Sequence, residues 1–162
     1  MTESFLIDRP SFDPHSGEAR FSYRLNDLSF TEVLGLPSGA DAAKAETPAF
    51  RKLLDLTAFV LGVSYFKLRA PFEIAAPDIR LTEAEKAFVI DIYENGLGEF
   101  YARNDLARFG RLTLTTALDS ESQKPTVALP ERTLLPIGGG KDSLVSVELL
   151  SHVGVDFTPF AV

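Results

Sequence analysis

A run of apolar residues, three consecutive glycines and an amphipathic segment follow one another near the end of the sequence, in LLPIGGGKDSLVSVELL (residues 134–150). The apolar run predicts a strand at 133–137, and the apolar spacing after the glycines predicts a helix at 142–153. The last residues, VDFTPFAV, predict a second strand, and apolar runs on both strands are typical of a parallel sheet covered on both faces. The stretch therefore predicts a β-α-β unit with a glycine turn between its first strand and its helix.

The glycine turn has the features of an anion site. Three glycines permit positive φ angles and let backbone N–H groups approach a ligand with no Cβ atom in the way. The helix N-terminus adds unpaired N–H groups and the positive end of a dipole, which suit a phosphate. Lys141 contributes a positive charge, Asp142 or Ser143 can cap the helix, and a hydroxyl can donate to a phosphate oxygen. The alternative interpretation is a plain tight turn before a helix that Asp142 caps.

The residues of the turn exclude two common phosphate-binding motifs. A Walker A loop needs a glycine six residues before its lysine and a serine or threonine after it, where this sequence has Leu135 and Asp142. A G-x-G-x-x-G loop is excluded because Asp142 and Ser143 occupy the place of its third glycine. GGGKDS instead resembles the S-G-G-x-D-S loop of the PP-loop ATP pyrophosphatases, which split ATP between the α- and β-phosphates. Gly138 stands where that family usually has serine, so one hydroxyl ligand is missing.

Two upstream segments narrow this resemblance. They are GVSYFKLRAPFEI (62–74) and NGLGEFYARNDL (95–106). Together with the glycine turn and its flanks, they resemble the UDP-N-acetylmuramoyl-L-alanyl-L-glutamate epimerases, which belong to an alternative bacterial route to D-glutamate in peptidoglycan. The resemblance runs over most of the chain, from near residue 5 to its end.

The resemblance implies an ATP-dependent isomerase with ATP and Mg²⁺ as cofactors and a UDP-muramoyl-dipeptide as substrate. Adenylation of the terminal glutamate would acidify its Cα–H, so that a base removes the proton and reprotonation from the other face gives D-glutamate. Asp142 is also the candidate for orienting Mg²⁺, and no acid–base residue is assigned. The residues implied in phosphate binding are Gly138, Gly139, Gly140, Lys141, Asp142 and Ser143.

The upstream segments supply four weaker candidates for substrate contact. Tyr65 and Lys67 lie near a predicted helix end, where a lysine is favourable to the helix dipole. Glu99 and Arg103 have i, i+4 spacing, which is also the spacing of a surface ion pair worth about 0.3–0.5 kcal/mol. The assignment of these residues to substrate binding follows from the resemblance alone.

Two other function classes stay open. The same turn would serve another PP-loop adenylating enzyme, an amide ligase or a thiolation enzyme, although a tRNA-thiolating enzyme is expected to carry basic surface or cysteines. A non-catalytic interaction module would use the turn only as a turn. Nucleotide binding separates this last class from the other two.

The residues before the linker predict an α+β domain that begins with strands. Residues 4–36 are typical of strands, with a hairpin turn at 14–17. Alternation after that turn places one apolar set on a single strand face. That set is Ala19, Phe21, Tyr23 and Leu25.

A helix is predicted to follow a loop at 37–48. Thr47 before Pro48 predicts an N-cap and a helix running to about Leu68. The apolar residues at helical spacing are Phe50, Leu53, Leu54, Thr57, Val60 and Leu61.

A second helical segment begins at a capping box formed by Thr82 and Glu85. Gly96 and Gly98 predict a break in that helix or a close packing contact there. Before it, APFEIAAPDIR predicts a short extended segment broken by two prolines, and after it RLTLTTAL predicts a strand.

The predicted organisation is an N-terminal α+β domain at 1–118, a polar, proline-bearing linker at 119–132, and the start of a Rossmann-like PP-loop domain at 133–162. The predicted fold class is α/β. A PP-loop domain needs about five parallel strands around its nucleotide pocket, and one β-α-β unit is present. We therefore expect the N-terminal part of a longer protein, inactive or incomplete by itself.

Composition narrows the partners. The 162 residues carry a net charge of −7 and no basic stripe, which disfavours nucleic acid. The absence of cysteine excludes disulfides and thiolate metal sites. No run approaches 18 apolar residues and the N-terminus does not resemble a signal peptide, so we expect no membrane association and a cytoplasmic location. The oligomeric state is not predicted.

Overall fold

The computed structural model describes residues 3–36, 42–119, 128 and 131–161. The chain forms two compact units, a first unit at Met1–Pro125 and a second unit at Thr126–Val162. Both units combine helices with strands, so the predicted α/β class is confirmed. Most of the predicted linker lies outside the described residues, and its boundaries stay a prediction.

The first unit combines one mixed sheet with a layer of helices. Its strands are β1 (Ser4–Ile7), β2 (Ser11–Asp13), β3 (Glu18–Leu25), β4 (Leu28–Gly35), β5 (Glu73–Leu81) and β6 (Thr113–Leu118). Its helices are α1 (Ala42–Ala45), α2 (Pro48–Phe66), α3 (Glu83–Glu94) and α4 (Gly98–Arg103).

Three parallel strands form one side of this sheet. β1 pairs in parallel with β5, and β5 pairs in parallel with β6. β3 pairs antiparallel with β1 and β2 along one edge and with β4 along the other. The carboxyl ends of β1, β5 and β6 therefore meet at one edge of the sheet.

The core lies between one face of the sheet and the helices. In register, Phe5 lies opposite both Leu25 and Ile74, so these side chains share the buried face. The predicted alternation in β3 is confirmed, since all four of its apolar residues are buried. The helices cover this face with Ala58, Phe59, Phe66, Val89, Tyr93 and Tyr101.

The predicted apolar residues of α2 mark its buried face only in part, since Leu54 and Leu61 pack against the core. Leu53 is 61% exposed and Val60 is 47% exposed. The residues of the helix that are buried are Asp55, Ala58, Phe59, Gly62 and Phe66. Spacing alone misassigned this face because α2 is apolar on several sides, whereas the small residues Ala58 and Gly62 are those that let the helix approach the sheet closely.

The predicted helix starts and the helix break are confirmed. Thr47 caps α2 with Pro48 in its first turn, and Thr82 and Glu85 form both hydrogen bonds of a capping box at α3. The second helical segment divides at 95–97 into α3 and α4.

Two predictions of extended or loop structure needed correction. Pro71 precedes β5, and only Pro77 lies inside the strand. β5 continues past Pro77 through a register shift between Ala76 and Arg80. Part of the predicted loop before Thr47 forms the short helix α1, and residues 37–41 lie outside the described residues.

The second unit is the predicted β-α-β unit. It consists of β7 (Thr133–Pro136), α5 (Lys141–His152) and β8 (Phe157–Phe160), with the two strands parallel. The expectation of a sheet covered on both faces is not met in these residues. No residue of α5 is buried, and Leu144 and Leu149 are 62% and 61% exposed. Two strands are too small a sheet to bury the apolar residues of this helix.

We predict that Gly62→Ala destabilises the first unit. A Cβ atom there would lie 2.9 Å from Tyr93 Oη and 3.0 Å from Tyr23 Cε1. Overpacking costs about 1–3 kcal/mol, and the better helix propensity of alanine returns about 1 kcal/mol, so we expect a net loss of about 1 kcal/mol. Urea unfolding followed by tyrosine fluorescence measures this unit alone, because all four tyrosines lie in it.

Gly98→Ala is the matched control for this prediction. Its added Cβ would find only Phe109 Cζ, at an ordinary contact distance of 3.5 Å. An equal loss of stability in both variants would contradict a packing role for Gly62.

Candidate functional site

The glycine turn in the second unit has the geometry of an open backbone cradle. Gly139 has a φ of +76°, and a Cβ atom built on Gly138, Gly139 or Gly140 would meet nothing within 4 Å. The helix begins at Lys141, and Gly140 is its N-cap residue without a side-chain capping bond. The N–H groups of the first turn therefore have no intrahelical partner and point out of the helix end.

The predicted capping by Asp142 or Ser143 is wrong. Both residues lie inside the first turn of α5 because the helix starts one residue earlier than the spacing suggested. Ser143 Oγ instead accepts a hydrogen bond from the N–H of Gly138 at 3.1 Å, which ties the loop to the helix. The Ser143 hydroxyl proton stays available to a ligand, and the Asp142 carboxylate is exposed beside it.

Tyr65 has a structural environment. Its hydroxyl donates to Glu32 Oε2 at 2.6 Å, and its ring stacks on Phe30 and Tyr23 with centroids 4.8 and 5.0 Å away. The hydrogen bond to Glu32 raises the pKa of Tyr65. Lys67 is the C-cap residue of α2 and is exposed.

Glu99 and Arg103 form an i, i+4 ion pair at 2.7 Å on the surface of α4, with side chains 78% and 77% exposed. No hydrogen bond or ion pair in the described part of the chain joins this pair to Tyr65 or Lys67. Substrate contact by these four residues stays a prediction.

Charged residues that the sequence analysis missed gather at the carboxyl ends of the parallel strands. Lys52 Nζ donates to the Arg80 carbonyl at 2.8 Å, to Glu85 Oε2 at 3.0 Å and to Asp119 Oδ2 at 3.3 Å. Asp119 directly follows β6, and Glu85 lies in the first turn of α3 after β5. The three side chains are only 21–22% exposed, so water screens their interactions less than at the surface.

The pKa of Glu85 reflects this network. Burial alone would raise it, but hydrogen bonds from Thr82 and Lys52 outweigh burial, and the pKa is lowered. Glu85 is therefore held as a carboxylate that links α2 to the start of α3.

A cleft of about 250 Å³ lies beyond the end of β1, next to this network. β1 and β2 pair with the same edge of β3. Between the two paired stretches lie three residues of the β1–β2 chain (8–10) but only two residues of β3 (21–22). This bulge changes the alternation, so that Arg9 and Phe12 both face the helix layer. The cleft is lined by Arg9, Pro10, Ser11, Phe12, Ala45, Glu46, Arg51, Leu54 and Asp55.

Asp55 is the buried charged residue of this cleft. Its side chain is 8% exposed, and Arg9 Nε lies 3.8 Å from its Oδ1. Burial raises the pKa of Asp55, and the attraction of Arg9, Lys52 and Arg51 offsets this only in part. A carboxylate with a raised pKa in a cleft is a candidate for function. Asp55 was not predicted as a site residue, because it lies outside the apolar residues at helical spacing that predicted α2.

The described residues provide neither a membrane-spanning helix nor a ready metal cage. No helix among them is long and apolar enough to cross a bilayer. No group of three or more His, Cys, Asp or Glu side chains among them is placed to hold a metal ion. Mg²⁺ that arrives with nucleotide phosphates needs only one or two protein carboxylates, so Asp142 stays a candidate.

Comparison with known protein families matches residues 1–162 to the MurL N-terminal domain. The chain belongs to this family. The family resemblance predicted from the glycine turn and the two upstream segments is thus confirmed, including its restriction to an N-terminal part.

Two relatives of this chain have the same name. Proteins named UDP-N-acetyl-alpha-D-muramoyl-L-alanyl-L-glutamate epimerase are 35% identical over 157 residues in Xanthomonas oryzae pv. oryzae (strain MAFF 311018) and 38% identical over 168 residues in Micromonospora sp. (strain ATCC 39149 / NRRL 15099 / SCC 1413). The alignments cover 96% and 99% of this chain. The chain spans just over a third of these relatives, 35% and 37% of their lengths.

We predict that Lys52→Met destabilises this MurL N-terminal domain by about 1–3 kcal/mol, since it leaves two shielded carboxylates without their cation. The lowered pKa of Glu85 means that its contribution is present above its ordinary value of 4.5 and is lost as the pH falls through the folded-state pKa. The cost of the substitution should therefore shrink in acid. Urea unfolding at pH 7 and pH 4 measures both effects.

Lys86→Met is the matched control for Lys52→Met. The Lys86 side chain is 23% exposed and pairs with Glu83, whose side chain is 80% exposed. We expect a loss below about 0.5 kcal/mol for this surface pair. Equal losses in the two variants would contradict a special role for the Lys52 network.

We also predict that Asp55→Asn stabilises the folded chain at pH 7. Because the folded-state pKa is raised above 3.8, the contribution of Asp55 is fully present below pH 3.8 and is lost as the pH rises through the folded-state pKa. The amide of the variant does not ionise, so its contribution does not change with pH. The free energies of unfolding of the two proteins should therefore differ at pH 7 and converge near pH 3.5. Asp27→Asn, in an exposed turn, is the control. A variant less stable than the wild type at pH 7 would contradict this prediction.

Proposed function

We propose that this chain is the N-terminal part of an ATP-dependent epimerase, which converts the terminal L-glutamate of UDP-N-acetylmuramoyl-L-alanyl-L-glutamate to D-glutamate for peptidoglycan precursors. The observation that carries the proposal is the glycine turn between a parallel strand and an uncapped helix N-terminus. Membership of the MurL N-terminal domain family and the name of the relatives support the choice of substrate.

The hydrogen-bond donors and charged groups of the turn fit a nucleoside triphosphate with Mg²⁺. Backbone N–H groups at the start of α5, the dipole of a 12-residue helix, the Lys141 ammonium and the Ser143 hydroxyl all favour phosphate oxygens. The open space above Gly138, Gly139 and Gly140 leaves room for those oxygens to approach the backbone. Asp142 would supply a carboxylate to Mg²⁺, which usually keeps several of its waters.

The proposed chemistry begins at the glutamate α-carboxylate. A carboxylate oxygen attacks the α-phosphorus of ATP, pyrophosphate leaves, and the product is an acyl-adenylate. The Cα–H next to this activated acyl group is more acidic than next to a carboxylate. A base removes the proton, an acid returns one to the opposite face, and hydrolysis of the mixed anhydride releases AMP and the D-epimer.

Residues of the turn act on the phosphates rather than on the Cα proton. Lys141 and the helix N-terminus stabilise negative charge that develops on the departing pyrophosphate. Asp142 and Ser143 orient the metal and one phosphate oxygen. Gly138 provides an N–H group that positions Ser143, and this contact gives the glycine a role where related loops have serine.

We predict that the 162-residue chain binds Mg-ATP and that Asp142→Ala weakens binding roughly tenfold, which corresponds to about 1.4 kcal/mol. Isothermal titration calorimetry with a non-hydrolysable ATP analogue measures this. Glu148→Ala is the control, because Glu148 is an exposed carboxylate on the same helix but away from its N-terminus. Equal weakening in both variants would count against the phosphate cradle. Absence of binding to the 162 residues leads to the same titration with a protein extended beyond residue 162, where renewed absence would contradict the cradle.

Deuterium incorporation separates an epimerase from a ligase or a thiolation enzyme that uses the same adenylation. In heavy water, epimerisation exchanges the glutamate Cα proton and requires ATP, whereas ligation or thiolation leaves that proton in place. Mass spectrometry of the UDP-muramoyl-dipeptide measures the exchange in a protein extended beyond residue 162, because the 162 residues are expected to be incomplete by themselves. The Xanthomonas oryzae relative is the positive control.

A further inference from the structure

The cleft beyond β1 contains a buried carboxylate without a hydrogen-bond donor. The Asp55 side chain is more than nine-tenths buried, and no described residue donates a hydrogen bond to it. The Arg9 guanidinium is 3.8 Å away, which is an ion pair but too long for a hydrogen bond. The carboxylate oxygens are not fully enclosed, so a donor that enters the cleft can reach them.

Two arginines lie at the mouth of the same cleft. The Arg9 side chain is 54% exposed, and Asp55 is its ion-pair partner in the described residues. Arg51 pairs with Glu46, but both side chains are largely exposed at 49% and 70%, and such surface pairs contribute little. A guanidinium offers a planar fork of N–H donors that matches a carboxylate.

The spacing of these groups limits the ligand. A ligand that donates an N–H group to Asp55 and presents a carboxylate to Arg9 must carry the two groups side by side, because Asp55 and Arg9 are themselves neighbours. The amide nitrogen and the carboxyl carbon of one amino-acid residue are joined through a single Cα and lie about 2.5 Å apart. Phe12 and Leu54 supply apolar walls for a side chain.

The size and position of the cleft agree with a small ligand at a functional edge. Its volume of about 250 Å³ lies below the roughly 300–1,000 Å³ of pockets for drug-sized molecules, so one residue fits better than a nucleotide. It lies at the carboxyl end of β1, the edge where open parallel sheets bind ligands. A β-bulge, a feature often found beside binding sites, turns Arg9 towards it.

We propose that this cleft binds the carboxylate end of an N-acyl amino acid or short peptide, with Asp55 accepting the amide N–H and Arg9 pairing with the carboxylate. Arg51 exchanges Glu46 for a second carboxylate when the ligand has one, so a terminal glutamate suits the cleft better than a monocarboxylate. The choice of a terminal glutamate as the ligand to be tested rests on the proposed function. The broader ligand class, an N-acyl amino acid with a free carboxylate, follows from the cleft residues.

The test is a titration of the ¹⁵N-labelled 162-residue chain with N-acetyl-L-alanyl-L-glutamate, followed by NMR. We expect shifts concentrated at the amides of residues 9–12, 45–46 and 51–55. N-acetyl-L-alanyl-L-glutamine amide is the ligand control, because it keeps the amide N–H groups and the shape but has no carboxylate. Shifts confined to other surfaces, no shifts at millimolar peptide, or equal binding of the neutral peptide would overturn the proposal.

Two variants examine the contacts separately. Arg9→Gln and Asp55→Asn should each weaken peptide binding roughly tenfold, the effect of one hydrogen bond to a charged group. Arg24→Gln is the control, since Arg24 has matching exposure, 53%, and is not part of the cleft lining. Asp55→Asn is also expected to remain folded and gain stability, so loss of binding in that variant is not loss of structure. Unchanged peptide affinity in both cleft variants overturns the proposal.

This result is independent of the ATP measurement. Mg-ATP affinity tests the turn through Asp142, and peptide affinity tests the cleft through Arg9 and Asp55. Failure of peptide binding with normal ATP binding removes the cleft proposal and leaves the proposed function in place. Peptide binding without Mg-ATP binding counts against the phosphate cradle and leaves the cleft proposal in place.

Discussion

The first unit depends on the close approach of α2 to its sheet. A Cβ atom on Gly62 would lie within 3.2 Å of the rings of Phe5 and Tyr23, so no larger residue leaves this spacing unchanged. Because the helix lies this close, the hydroxyls of Tyr23 and Tyr93 reach carbonyls of two successive α2 residues at 3.0 and 2.7 Å. Burial raises the pKa of both phenols, so they stay neutral donors and fix the position of the helix.

That position decides where the charges of α2 lie. The part of the helix around Phe59 and Phe66 packs on the sheet, and the earlier part carries Lys52 and Asp55 to the carboxyl ends of the parallel strands. Lys52 is fully partnered there, whereas Asp55 is buried without a hydrogen bond. Burial disfavours the charged form of Asp55 and raises its pKa, and perturbed carboxylates of this kind are found mainly at functional sites. The contrast between two charges one helical turn apart is why the cleft, and not the Lys52 network, is the candidate for binding.

The proposed phosphate site at the glycine turn depends on local features of the chain, unlike the cleft. The groups proposed to bind an anion there are backbone N–H groups and a helix dipole, which need only a strand, a turn with a positive φ at Gly139 and a helix start. These are local properties and were evident in the residue pattern. The role of Ser143 was not, because its contact with Gly138 depends on where the helix begins, and capping preference alone suggested a different partner.

The sequence by itself determined the elements whose signals lie within a few residues. These include the N-cap of Thr47, the capping box of Thr82 and Glu85, the alternation of β3, the break after α3 and the strand, turn and helix around the glycines. Only the tertiary structure decided which face of α2 is buried, how a bulge turns Arg9 towards the helices, and which charges meet at the strand ends. The physical reason is that helical spacing offers several apolar faces of similar merit. The choice among them depends on the shape of a sheet whose strands are distant in the chain.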